Sequence, residues 1–203
     1  MTALREDNLM VEAAFWQARY DSGILPWDLG TVAPPFKHLL ETENLPTGTM
    51  LVVGCGVGHD AAFFGQQGFD VIGIDITQEA VDLATEKYGH YATFQKDDLF
   101  NLPESYLNRF DYVLEHTCYC AIDPKQRAAY VTAAASTLKP QGKIIGLFWV
   151  HDEWGGPPYA TSKEDLTQHF SPAFNLDSLT KTPHSTESRQ NEELLGLFTK
   201  KRV

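Results

Sequence analysis

The feature that most constrains this chain is a glycine-rich string in a fixed setting. Val53-Gly-Cys-Gly-Val-Gly58 follows directly on Met50-Leu-Val-Val53. Four apolar residues in a row read as a short strand covered on both faces, as in a parallel sheet. Residues 59–67 then read as a helix. Strand, glycine loop and helix in that order is the context in which such a loop meets a ligand. Gly54 and Gly56 allow a tight turn and let a ligand approach the backbone with no Cβ in the way. A dinucleotide fingerprint, G-x-G-x-x-G, would place its third glycine at position 59. That residue is His59, and the third glycine is Gly58. The spacing favours adenosylmethionine over NAD.

The rest of the chain extends this unit. Phe69–Ile74 reads as a second strand ending in Asp75, and a helix opens at Thr77 or Gln78. Tyr91–Phe94 reads as a third strand and Arg109–Leu114 as a fourth. A helix over Ala128–Leu138 precedes a fifth strand at Lys143–Val150. Strands alternating with helices across residues 50–150 predict a doubly wound parallel sheet. Beyond it come a helix near 162–169 and strands near 173–179 and 193–200, joined only by a loop. That pattern predicts a closing antiparallel pair at the far edge of the sheet. Upstream, Leu9, Ala13, Trp16 and Tyr20 share a face of an amphipathic helix over residues 6–20. A loop punctuated by Gly and Pro (23–30) leads to a second helix, 34–42, opened by Pro34 and Pro35.

Composition narrows the class further. A length of 203 residues suits one domain, with residues 1–45 as a helical lid on a core of 46–203. A net charge of −11 argues against nucleic acid or an anionic membrane as partner, since both need a basic face. Cys55, Cys118 and Cys120 are too few for a disulfide framework, and Cys118-x-Cys120 lacks zinc spacing. His38, His59, His90, His151, His169 and His184 form no ligand-spaced set, so no metal is expected. The N-terminal MTALREDNLM has no apolar core of a signal peptide, and no apolar run approaches the ~20 residues of a membrane span. A cytoplasmic location is the expectation.

Two carboxylates extend the ligand reading. Asp75 ends the second strand about 20 residues after the glycine loop, where a carboxylate can accept from two ribose hydroxyls. The same residue could instead cap the following helix. In Lys96-Asp-Asp-Leu-Phe100, Asp98 can accept from an adenine amino group while an apolar neighbour covers the ring. Its competing reading is a solvated loop carboxylate.

Several longer segments then resemble a known family. They are Phe15-Trp-Gln-Ala-Arg-Tyr20, Pro26-Trp-Asp-Leu-Gly30, Gly54-Cys-Gly-Val-Gly-His-Asp60, Lys96–Phe100, Glu115-His-Thr-Cys-Tyr-Cys-Ala-Ile-Asp-Pro124 and Gly155-Gly-Pro-Pro-Tyr159. In order and content they are similar to the thiopurine S-methyltransferase superfamily, and most to its plant-type halide and thiol methyltransferase branch. The resemblance implies a Rossmann-like class I methyltransferase fold with a seven-stranded, mostly parallel sheet and an antiparallel terminal strand. It implies adenosylmethionine as donor, S-adenosylhomocysteine as product and in-line transfer to a small soft acceptor: a thiol, bisulfide, thiocyanate, halide or thiopurine sulfur. A monomer is the family default.

The resemblance also assigns residues. It places Trp16 and Trp27 beside the cofactor, where an indole face could stabilise the sulfonium by up to ~2 kcal/mol; core packing is the competing reading for both. Leu29, Cys55, Ile76, Leu99 and Glu115 complete the expected cofactor contacts. Tyr159 lies past the fifth strand, where its hydroxyl would hold the cofactor carboxylate or orient the acceptor, or its ring would merely cap the surface. Glu115, His116 and Thr117 are expected in the cavity wall. His116 would shape the acceptor pocket or act as a base, although a thiolate or halide needs no deprotonation. Arg189 resembles an arginine of the acceptor site, able to hold an anion with its fork of donors; a solvated loop arginine is the competing reading. Cys118 and Cys120 are expected to pack, and Arg19 to pair with an acidic neighbour. The rival functions are a metalloid-oxyanion methyltransferase and a non-catalytic adenosylmethionine-binding module.

Overall fold

The computed structural model describes residues 13–202. The part of the first expected helix before residue 13, Leu9 included, lies outside the described residues. Helix α1 covers described residues 13–22, and α2 is Pro34–Thr42, with proline at its first positions as the sequence predicts. The sheet is built from β1 (Thr49–Val53), β2 (Asp70–Asp75), β3 (Thr93–Lys96), β4 (Phe110–His116), β5 (Leu138–Trp149), β6 (Phe174–Lys181) and β7 (Glu193–Lys200). Helices α3 (His59–Gln66), α4 (Gln78–Tyr88), α5 (Arg127–Thr137) and α6 (Lys163–Phe170) connect them.

The strand order is β3-β2-β1-β4-β5-β7-β6. The first five strands pair in parallel, and β7 runs antiparallel to both β5 and β6. The expected antiparallel pair is therefore present, with β7 inserted inside the sheet and β6 forming the edge. The third strand starts two residues later than the alternation suggested, because Tyr91 lies in the turn after α4. The fifth strand begins earlier, at Leu138, directly at the end of α5.

Alternation along β1 divides the core in two. Leu51 and Val53 pack with Tyr130, Val131 and Ala134 of α5 and with Leu166 and Phe170 of α6. Met50 and Val52 face the other way, onto Phe36 and Leu39 of α2 and Ala61 and Phe64 of α3. A strand with a helical layer on each face must be apolar where both layers cover it, which is the pattern of Met50–Val53 in β1. Gly58 closes the glycine loop with φ +85, and a Cβ there would stand 2.8 Å from the Phe94 ring and 3.0 Å from Ala84. The G-x-G-x-G spacing is thus explained in part by packing, since the third glycine lets α3 sit against β3 and α4.

Candidate active site

The sequence order reverses between β1 and β4, and ligands of open α/β sheets bind outside the strand ends at that point. A cavity of about 570 Å³ opens there, within the range of small-molecule sites. No helix among the described residues is long and apolar enough to cross a membrane. Among the described residues, no three His, Cys, Asp or Glu side chains are grouped to hold a metal ion.

One half of the wall comes from the first strands. Gly54, Gly56, Asp75 and Ile76 line it, followed by Asp98 and Leu99. The Asp75 carboxylate is only 8% exposed. Its Oδ2 accepts from the Gly56 N–H at 3.0 Å, and its Oδ1 accepts from the Thr77 N–H and hydroxyl. Burial pushes its pKa up, opposed by these hydrogen bonds. Thr77, not Asp75, caps α4, its hydroxyl accepting from the Ala80 N–H. That leaves the carboxylate tying the glycine loop to the end of β2. Asp98 Oδ1 accepts from the Phe100 N–H and opens the short turn at Leu99–Asn101.

The N-terminal segment roofs the cavity. Trp16 and Trp27 meet edge to face at 5.2 Å between ring centroids, and Tyr20 meets Trp27 at 6.0 Å. Trp16, Tyr20 and Trp27 all line the cavity. Burial, with Asp75 nearby, pushes the Tyr20 phenol up, so it stays protonated. Polar links hold the roof down. Asp28 Oδ1 pairs with His59 Nε2 at 3.1 Å, and Asp60 Oδ1 accepts from the Ala33 N–H at 2.9 Å. Arg19 lies over the Phe15 ring at 5.3 Å and lines the cavity.

The opposite wall joins residues distant in sequence. Arg189, in the turn before β7, is 5% exposed and faces the cavity. It donates to Glu193 Oε1, to the Trp27 carbonyl and to His116 Nε2, each at 3.3 Å. His116 Nδ1 lies 2.7 Å from Asp60 Oδ2. Cys118, Cys120 and Trp149 complete this side with Pro157 and Pro158. The two thiols therefore face the cavity as well as packing. Burial and the nearby Glu115 push both up, Cys120 to about 12, so they remain neutral and protonated.

Four of the expected contacts are not in this wall. Glu115 is 1% exposed and turns to the opposite face of β4 from His116, as strand alternation requires. There it accepts from the Tyr119 N–H at 2.9 Å and from the Tyr130 hydroxyl. Desolvation raises its pKa to about 7. Cys55 turns toward Gly73 of β2, and Leu29 packs on the α2–α3 side of the core. Tyr159 is half-buried beside Pro158, its N–H donating to the Cys120 carbonyl and its ring against Gly156. Arg127 was not singled out by the sequence. Its guanidinium donates to the Ala160 carbonyl at 2.9 Å and the Thr161 hydroxyl at 3.1 Å, clamping this loop to α5. Asp60, Trp149 and Glu193 also emerge only from the tertiary arrangement. Asp60 had a signal in the chain, as an acidic residue in the first turn of the helix after the glycine loop.

These residues suit adenosylmethionine. A Cβ at Gly56 would stand 3.4 Å from the Tyr20 hydroxyl, so glycine there leaves the loop backbone open toward the roof. The buried Asp75 carboxylate lines the cavity beside the glycine loop, with the apolar Ile76 and Leu99 and the indoles of Trp16 and Trp27 in the same lining. Fold and site together define a Rossmann-like class I adenosylmethionine-dependent methyltransferase. Solved structures share the architecture. One, from a study of the conversion of a disulfide bond into a thioacetal group during echinomycin biosynthesis, has a TM-score of 0.78 at 21% identity and covers 93% of this chain and 91% of its own. Another is the 1,6-didemethyltoxoflavin-N1-methyltransferase of Burkholderia thailandensis with bound S-adenosylhomocysteine. It has a TM-score of 0.76 at 19% identity and covers 98% of this chain and 90% of its own.

The chain belongs to the thiopurine S-methyltransferase family, whose profile matches residues 11–201. It is 35% identical to thiocyanate methyltransferase 1 of Brassica oleracea, over 94% of this chain and 86% of that protein. It is 33% identical to the probable thiol methyltransferase 2 of Arabidopsis thaliana, over 91% and 84%. A thiopurine S-methyltransferase of Shewanella loihica is 25% identical over 83% and 86%.

Proposed function

We propose that this methyltransferase acts on a small, soft, anionic nucleophile, with sulfur species and halides as the acceptor class. The observation that carries the reading is the buried Arg189 guanidinium, set in a wall of indole, proline and neutral thiol in the cavity that also holds the glycine loop and Asp75. Adenosylmethionine, when bound, supplies a methyl group on a sulfonium that an in-line nucleophile can displace. Asp75 would hold the ribose and Leu99 with Ile76 would flank the adenine. Trp16 and Trp27 would shield the sulfonium from water and face it with electron-rich rings. Arg189 would hold the acceptor anion by charge-assisted hydrogen bonds. A thiolate or halide is nucleophilic without help, so the protein contributes proximity, alignment and exclusion of water. The names of the plant relatives, with thiocyanate and thiol acceptors, support this class.

The test is S-adenosylhomocysteine release by the purified protein with bisulfide, thiophenol, thiocyanate, iodide, a thiopurine and tellurite. Turnover of the sulfur or halide anions, with an Arg189→Ala loss concentrated in KM, supports the reading. Turnover of tellurite alone moves the assignment to metalloid oxyanions. Binding of adenosylmethionine without any turnover moves it to a binding module.

A further inference from the structure

The side chains of Asp60, His116, Arg189 and Glu193 form a continuous hydrogen-bonded row, of which His116 and Arg189 line the cavity. Its proton positions follow from what each group can do. Arginine only donates, so the 3.3 Å contact from Arg189 is a hydrogen bond only if His116 Nε2 offers its lone pair. The imidazole proton then sits on Nδ1, where it donates to Asp60 Oδ2 at 2.7 Å. Asp60 is fixed in turn by the Ala33 N–H on its other oxygen, and Arg189 by Glu193. We propose that Asp60 is a positioning residue that locks His116 as its Nδ1–H tautomer, so that His116 orients Arg189 toward the acceptor and does not serve as the base.

The arrangement has a second consequence. Arg189 also donates to the Trp27 carbonyl of the roof, and Asp60 also holds the Ala33 N–H at the end of the same segment. Roof, Asp60, His116 and Arg189 form a closed loop of hydrogen bonds. The group that presents the acceptor thereby also holds the tryptophan facing the donor.

Asp60→Asn tests the lock with a small change. The amide has one acceptor oxygen and one donor nitrogen where the carboxylate has two acceptors. With its oxygen kept on Ala33, its nitrogen would donate to His116 Nδ1. The imidazole proton would move to Nε2, against the Arg189 donors. Nitrogen NMR of the imidazole, in protein without cofactor or acceptor, reads the tautomer directly. The expected result is Nδ1–H in the native protein and a shift toward Nε2–H in Asp60→Asn. Kinetically, Asp60→Asn should raise KM for thiocyanate about tenfold or more, with a smaller change in kcat. His116→Gln keeps a donor and an acceptor on one side chain, whereas His116→Leu keeps neither. Gln should therefore lose at least fivefold less kcat/KM than Leu.

A native Nε2–H tautomer would overturn the lock. Equal losses of a hundredfold or more in kcat for His116→Gln and His116→Leu would restore the base role, since base catalysis is worth ~10²–10⁴-fold. The kinetic arm rests on the acceptor reading above. A native enzyme inactive on every soft anion would sink that reading, while the tautomer measurement would still decide the lock.

Discussion

Under the proposed reading, Trp27 and Asp75 would make separable demands on the cofactor. An indole facing a sulfonium attracts a cation, and S-adenosylhomocysteine carries none at that atom. Trp27→Ala should therefore weaken adenosylmethionine more than S-adenosylhomocysteine, by up to ~2 kcal/mol of difference. Titration calorimetry with both ligands gives that difference, and equal weakening would reduce Trp27 to a packing residue. Asp75→Ala should weaken both ligands alike, by ~10–100-fold, as expected for lost hydrogen bonds to a charged group. Asp75 was legible in the sequence because its cue is local: a carboxylate at a strand end, a set distance after a glycine loop. Asp60 and Glu193 were not. An acidic residue in a first helical turn is ordinary, and its importance here comes from a histidine 56 residues away. Arg189 was reached by resemblance alone, and only the structure shows its burial and its three partners.

At the scale of elements, the glycine loop and the Gly-Gly-Pro-Pro-Tyr loop are held differently. Gly58 is confined by φ +85 and by Phe94 and Ala84. Gly58→Ala should destabilise the fold by ~1–3 kcal/mol, seen as a lower denaturation midpoint with the slope unchanged. A midpoint equal to the native one would show that the loop relaxes. The second loop depends on Arg127, which is 2% exposed and reaches its carbonyls from α5. Arg127→Leu should leave those carbonyls unpaired and speed proteolysis in residues 151–160 before the rest of the chain is cut. The strands of the parallel sheet were readable because doubly covered strands are apolar runs. Their ends were less so. The Tyr91–Phe94 reading fails at its start because an aromatic residue in the turn after α4 looks like strand. The early start of β5 was hidden by Pro140, Gln141 and Gly142, polar or breaking residues at a part of the strand where Pro140 and Gln141 are exposed.

For the molecule as a whole, Glu115 gives a pH dependence of stability with a definite sign. Its carboxyl has an ordinary pKa of 4.5, raised to about 7 by burial. The native state therefore holds a proton that the unfolded state has lost between those values. Stability falls as pH rises from 4.5 to 7 and stays lower above it, by on the order of 3 kcal/mol. Glu115→Gln removes that proton-linked loss. Its melting temperature relative to the native protein should climb by several degrees between pH 5 and pH 8. A constant difference across that range would show that Glu115 titrates normally in the fold. The overall architecture was legible in sequence because alternation and motif order agree along the chain. The place of β7 inside the sheet was not, since two consecutive strands joined by a loop do not reveal which of them pairs with β5.

The separate origin of the two walls bears on how such an enzyme can change over evolutionary time. The glycine loop, Asp75 and Leu99 are written in one stretch, from Gly54 to Leu99, while Arg189 stands in the connection between β6 and β7. Surface connections tolerate substitution and length change better than the strands they join. Under the proposed reading, a lineage that rewrites residues 182–192 would change the acceptor side while inheriting the glycine loop and Asp75, and would have to replace the link from Arg189 to the Trp27 carbonyl.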